Sequence, residues 1–394
     1  MNNKGNYKRG NRLKILKALY ATMGIAYRDL QLFEGQTLMT QRMVVRMKKE
    51  GLIEVTKTAC GKVITLAEDQ QEKYIQYLTG EYLESYRNNK PELSKSLNNE
   101  RRMERLLKNS EIQIMMHMGG VPSYPDENVG LPEILLLDYI GYHGSKEIKK
   151  ESNYQVDVDY TNDGMKKILG SRINGMLASP GGIYAVYNIS NHLIEWDKGT
   201  EVKMSNHIER LLANRYEVQQ KRKINCLLIT HNIETLAKVI TNENDERKKK
   251  GKRKHTLLNI DYAYDNVYGI PANKSGIDMI RIMSSPNWND IMRHALLWDI
   301  EPCEDYSIPC AGYKEEDGYV LLFCDGNLTM LKLFLKRACN RRPDEVFTIY
   351  CFDFQLPLLV KLGVLEYVNV KQMKLEEYKT ILERMEKEDE KIAK

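Results

Sequence analysis

"LMTQRMVVRMKKEGLIEVTKTACGKVITLA", residues 38–67, joins a helical pattern to a hairpin pattern. Met39, Met43 and Met47 recur at four-residue spacing, which predicts an amphipathic helix with the methionines on its core side. Two short runs rich in β-branched residues follow, at 53–56 and 63–66, and a basic tip containing glycine separates them. The stretch therefore predicts a helix that leads directly into a two-stranded hairpin.

Two further helices are predicted upstream of this one. NRLKILKALYATM, residues 11–23, has apolar residues at helical spacing, and Gly24 ends it. AYRDLQLF, residues 26–33, is a short second helix, and the glycine of EGQT makes the turn that follows. Three helices and a hairpin define a winged helix-turn-helix, whose third helix enters the major groove while the hairpin, or wing, reaches the DNA backbone or the minor groove.

The polar side chains of this module are the predicted DNA contacts. Gln and Arg can pair with base edges, whereas Lys and Arg neutralise phosphates. The predicted contacts are Thr40, Gln41, Arg42, Arg46, Lys48 and Lys49 in the third helix, Lys57, Thr58 and Lys62 in the wing, and Lys4, Lys8, Arg9 and Arg12 in the N-terminal arm. Two alternatives remain open, since winged helices also serve as protein-interaction modules and a basic helix face is sometimes only solvated.

Composition indicates a folded protein of the cytoplasm. The 394 residues are 42% hydrophobic and 29% charged, which is typical of globular proteins, and the length suffices for two or three domains. No apolar run approaches the roughly 18 to 20 residues that span a bilayer, and no secretory signal is recognisable. The seven cysteines form no CxxC pair, which indicates a reducing compartment. We expect a cytoplasmic location and no membrane partner.

Positive charge is concentrated in the first third of the chain. Residues 1–110 contain 21 Lys and Arg but 12 Asp and Glu, although the net charge of the whole chain is only +5. A basic end on a mildly acidic body is suited to a polyanion, so double-stranded DNA is the expected partner. Tyrosines in the region 74–82 predict a packing helix that serves a core or a homodimer interface.

The middle of the chain predicts a second domain. A helix at 165–170 precedes three strands, at 172–178, 182–188 and 192–197, and a helix and a strand follow them up to Thr230. This α-β-β-β-α-β order is the core topology of the PD-(D/E)xK nuclease-like fold. In that fold an acidic residue on the second strand and Glu-x-Lys on the third hold Mg²⁺ and position water.

The catalytic positions of that fold are changed in this chain. Gly181 follows Pro180 where the first acidic ligand is expected, and Asp197 stands where the lysine is expected after Glu195. Lys198 is one residue further along and would face the opposite side of an extended strand. We therefore predict no catalytic residue, no metal and no cofactor, with Glu195, Asp197 and Lys198 as vestigial candidates.

An active site is the alternative to this interpretation. A β-bulge would re-aim Lys198, and Asp157, Asp159 or Asp163 would supply the missing ligand. Mg²⁺ would then be the cofactor, and the protein would be a metal-dependent nuclease.

Short motifs resemble those of a known family. KEGLI and GKVITL in the winged helix, with SPGGIYAVYN (179–188) and EWDKGTE (195–201), are similar to the replication-relaxation family of plasmids and conjugative elements, over roughly residues 10–240. The resemblance implies a DNA-binding protein of a mobile genetic element that acts in replication or in preparing the transfer origin, with relaxosome or replication proteins as partners. Family members often have Pro-Asp in place of Pro180-Gly181, which agrees with a loss of catalysis.

The last third alternates strand, helix, strand, helix and strand, which predicts a parallel α/β unit. Asp325 and Asp353 fall at the ends of two of its strands, where turn and capping roles are favoured over a site. The expected architecture is an α+β or α/β multidomain protein with a winged helix at 10–87, a degenerate nuclease-like domain at 101–242 and a C-terminal α/β region at 256–394.

Three functions remain open on the sequence alone. The first is a DNA-binding accessory protein of a mobile element that recognises origin DNA and has an inactive nuclease-like body. The second is a metal-dependent DNA-nicking or processing nuclease. The third is a transcriptional regulator whose α/β body acts as a sensor.

Overall fold

A computed structural model gives the mixed helix-and-sheet architecture of the chain. It describes residues 4–67, 99–124, 127, 139–154, 168–191, 198–216, 224–241, 263–297, 299–301, 303 and 308–392. The described helices are α1 (Lys4–Thr22), α2 (Thr37–Lys49), α3 (Glu100–Met118), α4 (Ser145–Tyr154), α5 (Lys198–Tyr216), α6 (Thr235–Thr241), α7 (Lys274–Ser284), α8 (Trp288–Leu296), α9 (Leu328–Ala338), α10 (Leu356–Lys361) and α11 (Leu375–Ile392).

The strands belong to three sheets. They are β1 (Ile25–Ala26), β2 (Ile53–Thr58), β3 (Gly61–Leu66), β4 (Gly141–Gly144), β5 (Gly175–Ser179), β6 (Gly182–Ser190), β7 (Ile224–Thr230), β8 (Val267–Pro271), β9 (Gly312–Lys314), β10 (Gly318–Leu322), β11 (Phe347–Phe352) and β12 (Asn369–Met373). The sheet orders are β1–β3–β2, β4–β5–β6–β7–β8 and β12–β11–β10–β9.

Residue contacts divide the chain into two compact units. Unit 1 contains Met1–Ile148, Asn174–Ser179 and Ala272–Arg281, and unit 2 contains Lys149–Ile173, Pro180–Pro271 and Ile282–Lys394. Within the described ranges, no helix is long and apolar enough to cross a membrane.

The N-terminal part of unit 1 is built around a small antiparallel sheet. β3 lies in the centre, between β1 and β2, and its last four residues are buried. One cluster of buried side chains joins Val63 of this strand to Ala26, Met103 and Leu107, so α3 packs on the sheet. The helix α1, a 3₁₀ helix at Tyr27–Leu32 and α2 precede the β2–β3 hairpin in the predicted order.

The core face of α2 differs from the predicted one. Thr40, Val44 and Met47 are buried, whereas Met39 is 45% exposed and Met43 is only half-buried. The prediction from methionine spacing was therefore correct for Met47 and wrong for Met39 and Met43, since in both cases the next residue along the helix, about 100° further round, is the buried one. Thr40 tolerates burial because its hydroxyl donates to the carbonyl oxygen of Gln36 at 3.5 Å. Val44 is apolar and replaces a methionine in the core.

Local backbone chemistry fixes the hairpin relative to α2. Gly51 adopts a φ of 69°, and the amide of Leu52 donates to the Met47 carbonyl at 3.0 Å, which ends the helix in a Schellman motif. The hairpin then turns over two residues, since Thr58 pairs with Gly61, whose φ is 102°. Both positive φ angles favour glycine, so the sequence itself sets this geometry.

Asp29 of the 3₁₀ helix is a buried acid beside another acid. It is 1% exposed, and the Arg28 Nε atom lies 3.5 Å from its Oδ1 atom. Burial, together with repulsion from the nearby carboxylate of Glu111 on α3, raises the pKa of Asp29 well above its ordinary value. The folded unit therefore favours the protonated form of this side chain.

This burial predicts a pH-dependent stability. Protonated Asp29 contributes fully below the ordinary carboxyl pKa of about 3.9, and the contribution is lost as the pH rises through the raised folded-state pKa. Asp29→Asn should therefore raise the free energy of unfolding at neutral pH by about 1 to 3 kcal/mol and have little effect near pH 4. Urea unfolding across this pH range measures the difference, with exposed Glu54→Gln as the control. A loss of stability at neutral pH would contradict the assignment.

The five-stranded sheet contains most of the strands predicted for the middle domain. β5, β6 and β7 correspond to the predicted strands, β4 pairs antiparallel to β5, and β6, β7 and β8 run parallel. The predicted third strand at 192–197 lies outside the described residues. Lys198, expected at the end of that strand, is instead the first residue of α5, because the helical pattern begins seven residues before the predicted start at Ser205.

The predicted C-terminal parallel α/β unit is confirmed. β10, β11 and β12 are parallel neighbours, and β9 adds an antiparallel edge. Asp325 and Asp353 both follow strands of this sheet. The Asp325 Oδ1 atom accepts the amide of Asn327 at 2.8 Å, and Asn327 in turn caps α9, so Asp325 shapes a turn. Burial raises the pKa of the Asp325 carboxyl to about 7.

Candidate nucleic-acid interface

A groove in unit 1 separates the C-terminal half of α2 from the hairpin. Its cavity has a volume of about 590 Å³. The lining residues are Tyr27, Val44, Val45, Lys48, Lys49, Val55, Lys57 and Lys62. Three valines and a tyrosine thus share the groove with four lysines, and we call it the lysine groove.

The lysine groove is electrostatically one-sided. Its four lysines are exposed and no acidic residue lines it. The Nζ atom of Lys62 lies 5.6 Å from the centroid of the Tyr27 ring, a cation–π arrangement that holds this ammonium group at the groove. None of the ion pairs between described residues involves Lys48, Lys49 or Lys57. Four like charges around one cavity attract a polyanion.

A second surface runs along α2 and faces away from buried Thr40 and Met47, and it shares Val45 and Lys49 with the lysine groove. Leu38, Arg42, Val45 and Lys49 follow the spacing i, i+4, i+7 and i+11, which places them on one stripe, and all are exposed. We call them the outer stripe. Leu38 is 55% exposed and Val45 is 51% exposed. Arg46 is exposed next to the stripe. None of the ion pairs between described residues involves Arg42 or Arg46.

The structure exposes six of the thirteen predicted DNA contacts on α2 and the hairpin. The exposed residues of this set are Arg42, Arg46, Lys48 and Lys49 on α2 and Lys57 and Lys62 on the hairpin. Gln41 is half-buried on the same helix. Four of them line the lysine groove and Arg42 lies in the outer stripe, so a single face of unit 1 carries both kinds of group.

One predicted contact needs correction, and two others have partners within unit 1. Thr40 is 1% exposed and belongs to the core of the unit. Arg12 is ion-paired with Glu50, at 2.7 Å, because α1 passes the C-terminal end of α2. The hydroxyl of Thr58 donates to the Gly61 carbonyl at 2.9 Å and closes the hairpin turn. Burial removes Thr40 from the DNA contacts. Arg12 and Thr58 make contacts within unit 1, and their DNA contacts stay predictions.

The N-terminal arm is also different from the expectation. α1 begins at Lys4, so Lys8 and Arg9 are part of a helix that the sequence pattern placed only from Asn11 onward. The backbone of this first turn is described, but its side chains lie outside the described part. Their predicted phosphate contacts stay predictions.

Tyr27, Leu38, Val45 and Val55 were not predicted from the sequence as parts of the interface. The available signal was the alternative helical stripe of α2, since Leu38 and Val45 are seven residues apart. The regular methionine spacing favoured a different face and concealed this stripe. Val55 follows β-strand alternation with Lys57, which places both on the groove side of β2.

The expected position of the first nuclease ligand is sterically closed. A Cβ atom built on Gly181 would lie 2.0 Å from the carbonyl oxygen of Met283 and 2.6 Å from that of Ser285. The Trp288 indole N–H donates to the Gly181 carbonyl at 3.2 Å and to the Tyr184 hydroxyl oxygen at 3.1 Å. Backbone from another part of unit 2 therefore occupies the space that an aspartate would need.

The other vestigial candidates are only partly visible. Glu195 and Asp197 lie outside the described residues, and only the backbone of Lys198 is described. Over the ranges that are described, no group of three or more His, Cys, Asp or Glu side chains is placed to hold a metal ion.

Glu201 in the first turn of α5 is a buried acid that was not predicted. Its Oε2 atom accepts the hydroxyls of Ser171, at 2.9 Å, and of Tyr187, while its Oε1 atom accepts the amide of Arg172 at 3.4 Å. Burial raises its pKa, and these hydrogen bonds only partly oppose the rise. The carboxyl thus joins buried elements of unit 2.

No family model, no curated protein and no solved structure matches this chain. The similarity to the replication-relaxation family accordingly stays a prediction from short motifs, and the function is argued from the geometry of unit 1.

Proposed function

We propose that this chain binds double-stranded DNA through a winged helix-turn-helix head formed by α1, the 3₁₀ helix, α2 and the β2–β3 hairpin. The observation that carries the proposal is the lysine groove, because it places four exposed cations between a helix and a hairpin. The order of elements and the β1–β3–β2 sheet support the same assignment.

The two surfaces of the head suit different parts of a duplex. The outer stripe would enter the major groove, where the Arg42 guanidinium can donate two hydrogen bonds to a guanine. The lysine groove would lie over the adjacent backbone, where each neutralised phosphate releases counterions and strengthens binding without selecting a sequence. In this proposal Arg42 selects the base sequence, and the lysines of the groove bind the phosphate backbone without sequence preference.

We further propose that the cognate DNA is the replication or transfer origin of a mobile genetic element and that the nuclease-like body is inactive. The motif resemblance supports the first part, and the closed position at Gly181 supports the second. Replication or relaxosome proteins would be the partners. Footprinting of the full chain on origin DNA and on promoters of its parent element tests the role: protection of the origin supports it, and protection confined to promoters would favour a transcriptional regulator.

A single arginine provides a test of sequence reading. Arg42→Ala should weaken binding to the preferred duplex by about 1 to 3 kcal/mol. It should also relax the base preference at the one base pair that Arg42 contacts. Lys57→Gln should lower the affinity for all duplexes by a similar factor, because a phosphate contact carries no sequence information. Competition binding against single-base variants measures both. An Arg42→Ala protein with unchanged sequence preference would remove this residue from base reading.

A further inference from the structure

The outer stripe of α2 exposes aliphatic side chains where a DNA-reading helix meets base edges. Leu38 and Val45 flank Arg42 on this stripe, which faces away from buried Thr40 and Met47, and Val45 also lines the adjoining lysine groove. Exposed aliphatic groups of this size gain free energy when a partner covers their surface. A partner of this stripe must match both its aliphatic and its basic side chains.

We infer that Leu38 and Val45 recognise the 5-methyl groups of thymines, so that they add to the sequence preference that Arg42 gives the head. The inference rests on the proposed DNA binding by α2. Thymine is the base that presents an apolar group in the major groove. The exposed charges Arg42, Arg46 and Lys49 around the aliphatic side chains match phosphate and base acceptors, and they disfavour an apolar protein surface as the partner.

Helix geometry makes the inference quantitative. Leu38 and Val45 are seven residues apart, which corresponds to about 10.5 Å along the axis at about 1.5 Å per residue. Base pairs follow one another at about 3.4 Å, so a helix lying along the groove places the two side chains about three base pairs apart. Arg42 lies between them on the stripe. The preferred site should contain two thymines about three base pairs apart with a guanine contact between them.

Selection from a random-sequence duplex pool tests the inference with the full chain. One pool is made with thymine and a matched pool with uracil, which lacks only the methyl group. We expect enriched thymine positions in the first pool, and about three- to fivefold weaker binding for each such position changed to uracil in the selected duplex. Leu38→Ala and Val45→Ala should each abolish the discrimination at one position. The exposed residues Leu13 and Val360 provide control alanine variants.

The outcomes separate this inference from the function on which it rests. Sequence-dependent binding that is equal for thymine and uracil overturns the inference and leaves the DNA-binding proposal intact. A full chain that binds neither pool overturns both. If Leu38→Ala and Val45→Ala dissociate a dimer while thymine discrimination persists, the stripe is an interface between two copies of the chain and the inference is overturned.

Discussion

Replacing Lys48, Lys49, Lys57 and Lys62 together with glutamine is expected to lower the affinity for duplex DNA on the order of a thousandfold at about 0.1 M salt. The four ammonium groups surround one groove between α2 and the hairpin, where no acidic side chain offsets them. If each neutralises one phosphate, the slope of log K against log salt should flatten by about 0.9 per lysine. Glutamine keeps much of the aliphatic stem, so the apolar lining is retained.

A matched variant removes the same total charge elsewhere. Lys238, Lys336, Lys361 and Lys374 are exposed lysines of unit 2, and their glutamine variant should keep nearly the full affinity and salt slope. Fluorescence anisotropy over a salt series measures both proteins. Equal losses in the two variants would show that only net charge matters, and the lysine groove would lose its assigned role.

Gly181→Asp is expected to destabilise unit 2 by roughly 3 kcal/mol or more without creating a nuclease. The new Cβ atom would lie 2.0 Å from the Met283 carbonyl oxygen, and the carboxylate would face a second carbonyl, that of Ser285. A carboxylate placed against two carbonyl oxygens is repelled by them, and the nearby Trp288 indole N–H already donates to the Gly181 carbonyl and the Tyr184 hydroxyl oxygen. Restoring the Pro-Asp pattern therefore cannot restore a metal site while this backbone stays in place.

Gly181→Ala and Gly170→Asp complete the experiment. Gly181→Ala should already lower the stability of unit 2 substantially, because the steric overlap begins at the Cβ atom. Gly170 is an exposed glycine of the same unit with no atom within 4 Å of a built Cβ, so aspartate is tolerated there. Thermal unfolding reports the stabilities, and incubation with Mg²⁺ and supercoiled DNA reports cleavage. A stable Gly181→Asp protein, or one that cuts DNA, would contradict the closed-site interpretation.

Much of the fold was predictable because local rules determine it. Gly51 and Gly61 mark the end of α2 and the hairpin turn, and the C-terminal alternation of strands and helices produced the parallel sheet that its pattern predicts. The face of α2 was not predictable from spacing alone, since Met43 and Val44 compete as core residues on neighbouring positions. Which of them is buried depends on how the helix packs, and not on its own periodicity.

The sequence predicts which basic residues form the candidate site, but it does not predict which side chains they contact. The sequence identifies the basic residues of α2, of the hairpin and of α1 equally well as cations, but only the structure shows that Arg12 is ion-paired with Glu50. At Gly181 the sequence likewise shows only that the acidic ligand is missing. Only the packing of residues 283–288 explains why no side chain fits.

Site-specific photocrosslinking tests the central claim most directly. A photoreactive phenylalanine at Val45 of the outer stripe is compared with the same residue at Val360, since these valines are 51% and 53% exposed. With the selected duplex bound, irradiation of the full chain should attach DNA at position 45 and not at position 360. DNA attached at position 360 alone, or at neither position despite saturated binding, would contradict recognition of DNA by α2.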